Sequence, residues 1–122
     1  MELAIERHGQ GMPILCLHGH PGTGRCMSVF TQDLSADFET IAPDLRGYGQ
    51  SRTKSPFTME HHLDDLSELI HRLDRPCLIL GWSLGGILAM ELALKYPQQI
   101  AGLILVSTAA RPVGRHPAIT WQ

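Results

Sequence analysis

Cys77-Leu78-Ile79-Leu80-Gly81-Trp82-Ser83-Leu84-Gly85-Gly86 is the stretch on which the fold turns. Four apolar residues in a row precede a glycine. Such a continuous run, rather than an alternating one, marks a strand buried on both faces of a parallel sheet. Residues 86–96 are then rich in Ala, Leu and Met, as a buried helix is, and Pro97 stops them. The reading is strand, tight turn, helix. The turn fits G-x-S-x-G, and a turn this tight leaves room only for small residues beside Ser83, hence Gly81 and Gly85, with Gly86 as further relief.

The same pattern repeats on either side. Continuous apolar runs at 13–17, 40–42 and 103–106 read as three more buried strands. Residues 59–73 place Leu63, Leu66, Ile70 and Leu73 on one helical face, with Thr58 in position to cap the first turn. A weaker helix carries Met27, Phe30 and Leu34. The alternation of strand and helix predicts an α/β fold, a mostly parallel sheet with helices on both faces. Before it, Leu3 and Ile5 alternate with charges ahead of Gly9-Gln10-Gly11, which predicts an antiparallel strand or two. Residues 111–122 hold two prolines and follow no period.

With 122 residues the chain is read as one domain. Ten Lys and Arg against twelve Asp and Glu, a net charge of -2, give no broad electrostatic reason to expect nucleic acid. No apolar run reaches the roughly 18 residues of a membrane span, and the first residues lack a basic-then-apolar leader, so a cytoplasmic protein with no membrane partner is expected. The cysteines, Cys16, Cys26 and Cys77, are odd in number and show no C-x-x-C spacing. Cys16 and Cys77 lie in apolar runs and read as small hydrophobes rather than as disulfide or zinc partners. The seven histidines form no convincing ligand set, and the adjacent His61 and His62 read as surface positions, so no metal is expected.

The strand–turn–helix context gives G-x-S-x-G chemical meaning. It puts Ser83 at the carboxyl end of a sheet strand, where ligands bind in open α/β folds. It also aims the first amides and positive dipole end of the next helix at the site, which favours a developing oxyanion. His18-Gly19-His20-Pro21-Gly22 follows the 13–17 strand, and Asp44-Leu45-Arg46-Gly47-Tyr48-Gly49-Gln50-Ser51 follows the 40–42 strand. Together, in this order and spacing, the three motifs resemble the α/β-hydrolase superfamily, and Gly-Trp-Ser-Leu-Gly-Gly resembles its serine carboxylesterase and acyl-hydrolase branch. The resemblance implies a nucleophile elbow with Ser83 as nucleophile and an oxyanion hole made by the backbone amides of His20 and Leu84. It implies Trp82 and Gly19 as lining of the substrate pocket, His18 as a structural residue bonded to loop backbone, and residues 44–51 as a turn shaping the rim. It implies a small-molecule ester or acyl substrate and no cofactor. A serine at the nucleophile position disfavours the aspartate-dependent dehalogenases and epoxide hydrolases of this fold.

The family's triad runs Ser, then Asp or Glu, then His. Here no Asp or Glu follows Glu91, which lies within the helix after the turn, and His116 reads as an exposed loop histidine. Residues 1–122 therefore read as the N-terminal part of the hydrolase core, strands one to six, stopping before or at the lid. The acid and the histidine are expected on a complementary C-terminal polypeptide, which or a second copy would cover the bare apolar edge of the 103–106 strand. Two other readings are weighed beside this one. A non-catalytic binding protein on the same fold is one. The other is a nucleotide binder, since residues 19–26 approach a P-loop; that reading has Arg25 and Cys26 where Lys and Ser or Thr belong, and Asp44 as the best metal acid.

Overall fold

The computed structural model describes residues 1–107. The expectations for 111–122 and for His116 lie outside the described residues. In chain order the elements are β1 (Ile5–His8), β2 (Pro13–Leu17), a 3₁₀ turn (Gly24–Met27), α1 (Ser28–Leu34), β3 (Glu39–Pro43), α2 (Met59–His71), β4 (Cys77–Trp82), α3 (Leu84–Lys95) and β5 (Ile100–Val106). The five described strands form one sheet in the order β1-β3-β2-β4-β5. Only β1 is antiparallel, pairing Ile5 with Pro43 and His8 with Thr40; every other pairing is parallel. The first dozen residues thus give one strand and not two, so β5 is the fifth strand of the described sheet, where six were counted. Gly9 and Gly11, both at positive φ, turn the chain between β1 and β2.

β2 is buried along its whole length, as the continuous apolar run requires. Its alternate side chains feed two cores. Leu15 and Leu17 join Cys77 and Ile79 beneath Leu63, Leu66, Leu69 and Ile70 of α2 and Leu88, Ala89 and Leu92 of α3. Ile14 and Cys16 join Leu80 and Met27 on the other face, with Phe30 and Leu34 of α1 packed against them. Burial pushes the Cys16 and Cys77 thiols up, to about 12 and about 11, so both stay protonated. Among the described residues no helix is long and apolar enough to cross a membrane. β5 lies at the sheet edge and leaves Leu103, Ile104 and Leu105 exposed on both of its faces.

α2 starts at Thr58 as expected, and His61 completes the cap: the Thr58 N–H donates to His61 Nδ1 at 2.9 Å. One expectation for this helix fails. His62 is buried, not at the surface, because positions 62, 66, 69 and 70 form the inward stripe. Its ring lies edge-on to Phe57 with centroids 5.2 Å apart, and its Nδ1 has no hydrogen-bond partner. Burial lowers its pKa, with Asp65 opposing.

Close backbone packing joins α3 to the sheet. A Cβ on Gly85 would run into the Leu17 carbonyl and lie 2.8 Å from the His18 oxygen. Gly85→Ala is expected to lose roughly 1–3 kcal/mol in urea unfolding, since rigid backbone opposes the added carbon. Gly102→Ala, which meets only the Leu78 Cδ2 methyl at 3.1 Å, is the milder comparison. Equal losses would remove the packing argument.

Asp65 on α2 is also buried, and Arg46 of the loop after β3 grips it twice, Nε to Oδ2 at 2.8 Å and Nη2 to Oδ1 at 2.7 Å. Burial works to raise the Asp65 pKa, but the Arg46 hydrogen bonds and the N-terminal ammonium outweigh it and hold the carboxyl below its ordinary value. The folded state therefore favours the ionised form. This contribution is full above the unfolded pKa of about 3.9 and is lost as pH falls through the lower folded value. Asp65→Asn is expected to cost about 2 kcal/mol at pH 7 and to flatten the stability curve below about pH 4, as read by thermal melts across pH.

Candidate active site

The parallel register sets the ends of β2 and β4 side by side, Leu17 opposite Gly81, and the ends of β4 and β5 likewise, Trp82 opposite Val106. The loops that follow β2, β3 and β4 therefore open on one edge of the sheet, the edge at which the sequence placed Ser83.

Ser83 stands between β4 and α3 with φ 56° and ψ -113°. That is strained backbone for a residue with a Cβ, of the kind that persists only where its surroundings enforce it. Its N–H donates to the Val106 carbonyl at 3.1 Å, and its own carbonyl accepts from Gly86 at 2.9 Å and Ile87 at 3.2 Å, which starts α3. The small-residue requirement is met in space: a Cβ on Gly81 would sit 2.5 Å from Gly86 Cα. Ser83 is exposed on the surface this turn creates. Leu84 follows as the first residue of α3, where an amide has no carbonyl acceptor within the helix.

The loop after β2 lies directly against this turn. A Cβ on Gly19 would be 3.0 Å from the Trp82 carbonyl, 3.1 Å from Ser83 Cβ and 3.8 Å from Ser83 Oγ. Gly19, His20, Pro21, Cys26, Trp82 and Ser83 line a cavity of about 250 Å³. Four positions singled out in the sequence are thus brought to one cavity, with Leu84 beside it. Trp82 also packs edge-on against Phe30, with centroids 6.1 Å apart, so its ring serves the core and the cavity together.

His18 is fully buried and holds two loops together. Leu45 N–H donates to its Nε2 at 3.0 Å, and the other ring nitrogen, Nδ1, lies 2.8 Å from the Gly19 carbonyl. An amide can only donate, so Nε2 is the bare nitrogen and Nδ1 carries the proton. Burial lowers the His18 pKa, against the opposing pull of the Gly19 carbonyl and Asp44, and keeps the ring neutral in this role. Asp44 does similar work nearby: its Oδ1 accepts from Gly24 N–H at 2.6 Å and its Oδ2 from Gln50 N–H at 2.9 Å. Arg25 pairs with Glu6 at 3.2 Å. Asp44 is thus bonded to loop backbone, and Arg25 to Glu6 at the surface.

Two residues of this region were not assigned a role there by sequence. Cys26 is exposed and lines the cavity, which its neighbours in the chain do not signal. Tyr48 reaches across from the loop after β3 and meets His20 Nδ1 with its hydroxyl at 2.7 Å. Burial raises its pKa. Among the described residues no three His, Cys, Asp or Glu side chains gather as metal ligands do.

Comparison with known proteins agrees with this architecture. The family model for the alpha/beta hydrolase fold matches residues 12–122. A pimeloyl-[acyl-carrier protein] methyl ester esterase of Vibrio parahaemolyticus is 35% identical over 116 residues, covering 92% of this chain and 43% of the relative. A lipase of Mycobacterium tuberculosis is 33% identical over 112 residues, covering 89% of this chain and 42% of the relative. Among solved structures, a thermophilic esterase from Thermogutta terrifontis superposes with a TM-score of 0.84 at 38% identity, over 92% of this chain and 42% of that one. The chain spans less than half the length of these relatives and matches the N-terminal part of their fold. It belongs to the α/β-hydrolase family.

Proposed function

We propose that this chain carries the nucleophile and the oxyanion hole of a serine hydrolase that cleaves small carboxylic esters through an acyl-enzyme on Ser83. The observation that carries the reading is the backbone of Ser83, held at φ 56° on an exposed turn against the cavity. A fold stores strain of that kind where a side chain must be presented. The relatives named as methyl ester esterase and lipase support an ester as substrate.

In this mechanism Ser83 Oγ attacks the ester carbonyl carbon and passes its proton to a histidine base. The carbonyl oxygen takes up the negative charge, facing the amides of Leu84 and His20. One is a first-turn amide of α3 and the other belongs to the loop that packs on Ser83, so both are fixed before substrate arrives. The carbon–oxygen bond to the alcohol then breaks, the alkoxide receives the proton from the histidine, and the acyl group remains on Ser83. Water repeats the attack with the same histidine as base, and the acid leaves. Gly19 and Trp82 wall the pocket that holds the acyl or alcohol group. No cofactor or metal takes part in these steps.

The acid and the histidine belong, in this proposal, to polypeptide that completes the fold beyond β5. The exposed Leu103, Ile104 and Leu105 of β5 offer the surface on which it would pair and pack. The site of action proposed is the cytoplasm.

In a polypeptide that joins this sequence to the completing acid and histidine, Ser83→Ala is expected to lower kcat on a p-nitrophenyl ester by at least about 10⁴-fold, with an unchanged melting temperature. A fluorophosphonate should label Ser83 in the parent and nothing in the variant, read by peptide mass spectrometry. Turnover retained in Ser83→Ala would overturn the proposal.

A further inference from the structure

Two histidines stand two residues apart in the loop after β2, and one tyrosine ring touches both. Tyr48 lies edge-on to His18 at 5.1 Å and to His20 at 5.6 Å between centroids. His18 is spent on backbone, as shown above. His20 is exposed, lines the cavity with Ser83, and is held by the Tyr48 hydroxyl through Nδ1 at 2.7 Å. A phenol is a good donor and a poor acceptor, because its oxygen lone pair is delocalised into the ring, whereas a bare imidazole nitrogen is a strong acceptor. The bond therefore runs from Tyr48 O–H to Nδ1. In a neutral ring the proton then sits on Nε2, since the tautomer follows from the bond the other nitrogen makes. The network thus assigns His18 and His20 opposite tautomers. With Nδ1 taken by the Tyr48 hydroxyl, Nε2 is the ring nitrogen left for another partner, and His20 is exposed and lines the cavity.

We infer that Tyr48 is a positioning residue that orients His20 as a hydrogen-bond donor in the wall of the Ser83 cavity, where Nε2–H recognises an acceptor oxygen on the ester beside its scissile bond. The inference rests on the cavity being the substrate pocket. It adds to that reading a side-chain role for His20, distinct from its backbone amide, and a role for Tyr48 that reaches the ester only through His20. An ester carrying a second carbonyl or a carboxylate is favoured over a plain alkyl ester of the same length.

The test uses the full chain, labelled with ¹⁵N at histidine and tryptophan, and needs no turnover. Two-bond nitrogen–proton spectra near pH 8 should show His20 as the Nε2–H tautomer, with Nδ1 shifted upfield from a free imine nitrogen because it accepts a bond. In Tyr48→Phe, which keeps the ring and loses the hydroxyl, Nδ1 should return to the free-imine position while His18 keeps its Nδ1–H pattern. Titration with monomethyl succinate should then move the His20 Nε2–H signal and the Trp82 indole signal together in the parent. The apparent affinity should fall about three- to tenfold in Tyr48→Phe, as for a neutral hydrogen bond no longer held in place. Methyl butyrate should bind both proteins equally. An Nδ1–H tautomer at His20 in the parent, or an Nδ1 shift that Tyr48→Phe leaves in place, overturns the inference alone. So does a titration that moves Trp82 and not His20. A titration that moves neither overturns the inference together with the pocket reading on which it rests.

Discussion

The turn at Ser83 is possible only because three backbones come closer together than side chains allow. Gly85 brings the first turn of α3 onto the Leu17 and His18 carbonyls at the end of β2. Gly81 makes room for Gly86, and Gly19 lets the loop after β2 lie on Trp82 and Ser83. Each contact excludes a Cβ. Given that crowding, the residue at the apex has nowhere else to go, and Ser83 takes a backbone conformation that costs of the order of 1–3 kcal/mol in isolation. The cost is met by packing in the two cores and by the hydrogen bonds on either side of the serine. The strain is thus a consequence of how α3 meets the sheet. It cannot be relieved without moving the helix.

The loops around the serine are then tied by polar side chains, two of them, His18 and Asp65, buried. His18 ties the loop after β2 to Leu45 in the loop after β3. Asp44 ties that second loop to Gly24 and Gln50, and Arg46 ties it to Asp65 on α2. His18 and Asp65 are buried, so the bonds they make are expensive to break, while Asp44 and Gln50 meet nearer the surface. Tyr48 rides on this frame and delivers its hydroxyl to His20. The order of dependence runs from glycine packing, to strand register, to buried polar ties, and last to the groups that face the cavity.

That order also explains what could be read from sequence. The buried strands were legible because burial on both faces leaves an unbroken apolar run, and the Ser83 turn because its steric demand can be met only by glycine. α2 is legible from Leu63, Leu66 and Ile70, yet the same spacing places His62 on the inward stripe, where its polar residue type suggests the opposite. The N-terminal alternation gave a strand but no count, because period alone does not say where the chain turns; one strand, Ile5–His8, forms there. The bond between Tyr48 and His20 joins residues 28 apart in the chain. It follows from two loops meeting at the end of a parallel sheet, which no local pattern encodes. Cys26 reaches the cavity for the same reason.

β5 links the geometry of the serine to an exposed apolar edge of the described sheet. The Ser83 N–H ends on the Val106 carbonyl, the last residue of β5. That strand pairs with β4 along its length and then presents Leu103, Ile104 and Leu105 to solvent. Strands with exposed apolar side chains and an unpaired edge open more readily than those at the centre of a sheet. A departure of β5 would remove the acceptor of the Ser83 amide and one wall of the turn. Any element that pairs with β5, and so buries it, therefore firms the serine's presentation without touching the serine. In such an arrangement, completing the sheet and fixing the backbone of Ser83 are energetically one event, because the strand that receives the new contacts also holds the strained residue.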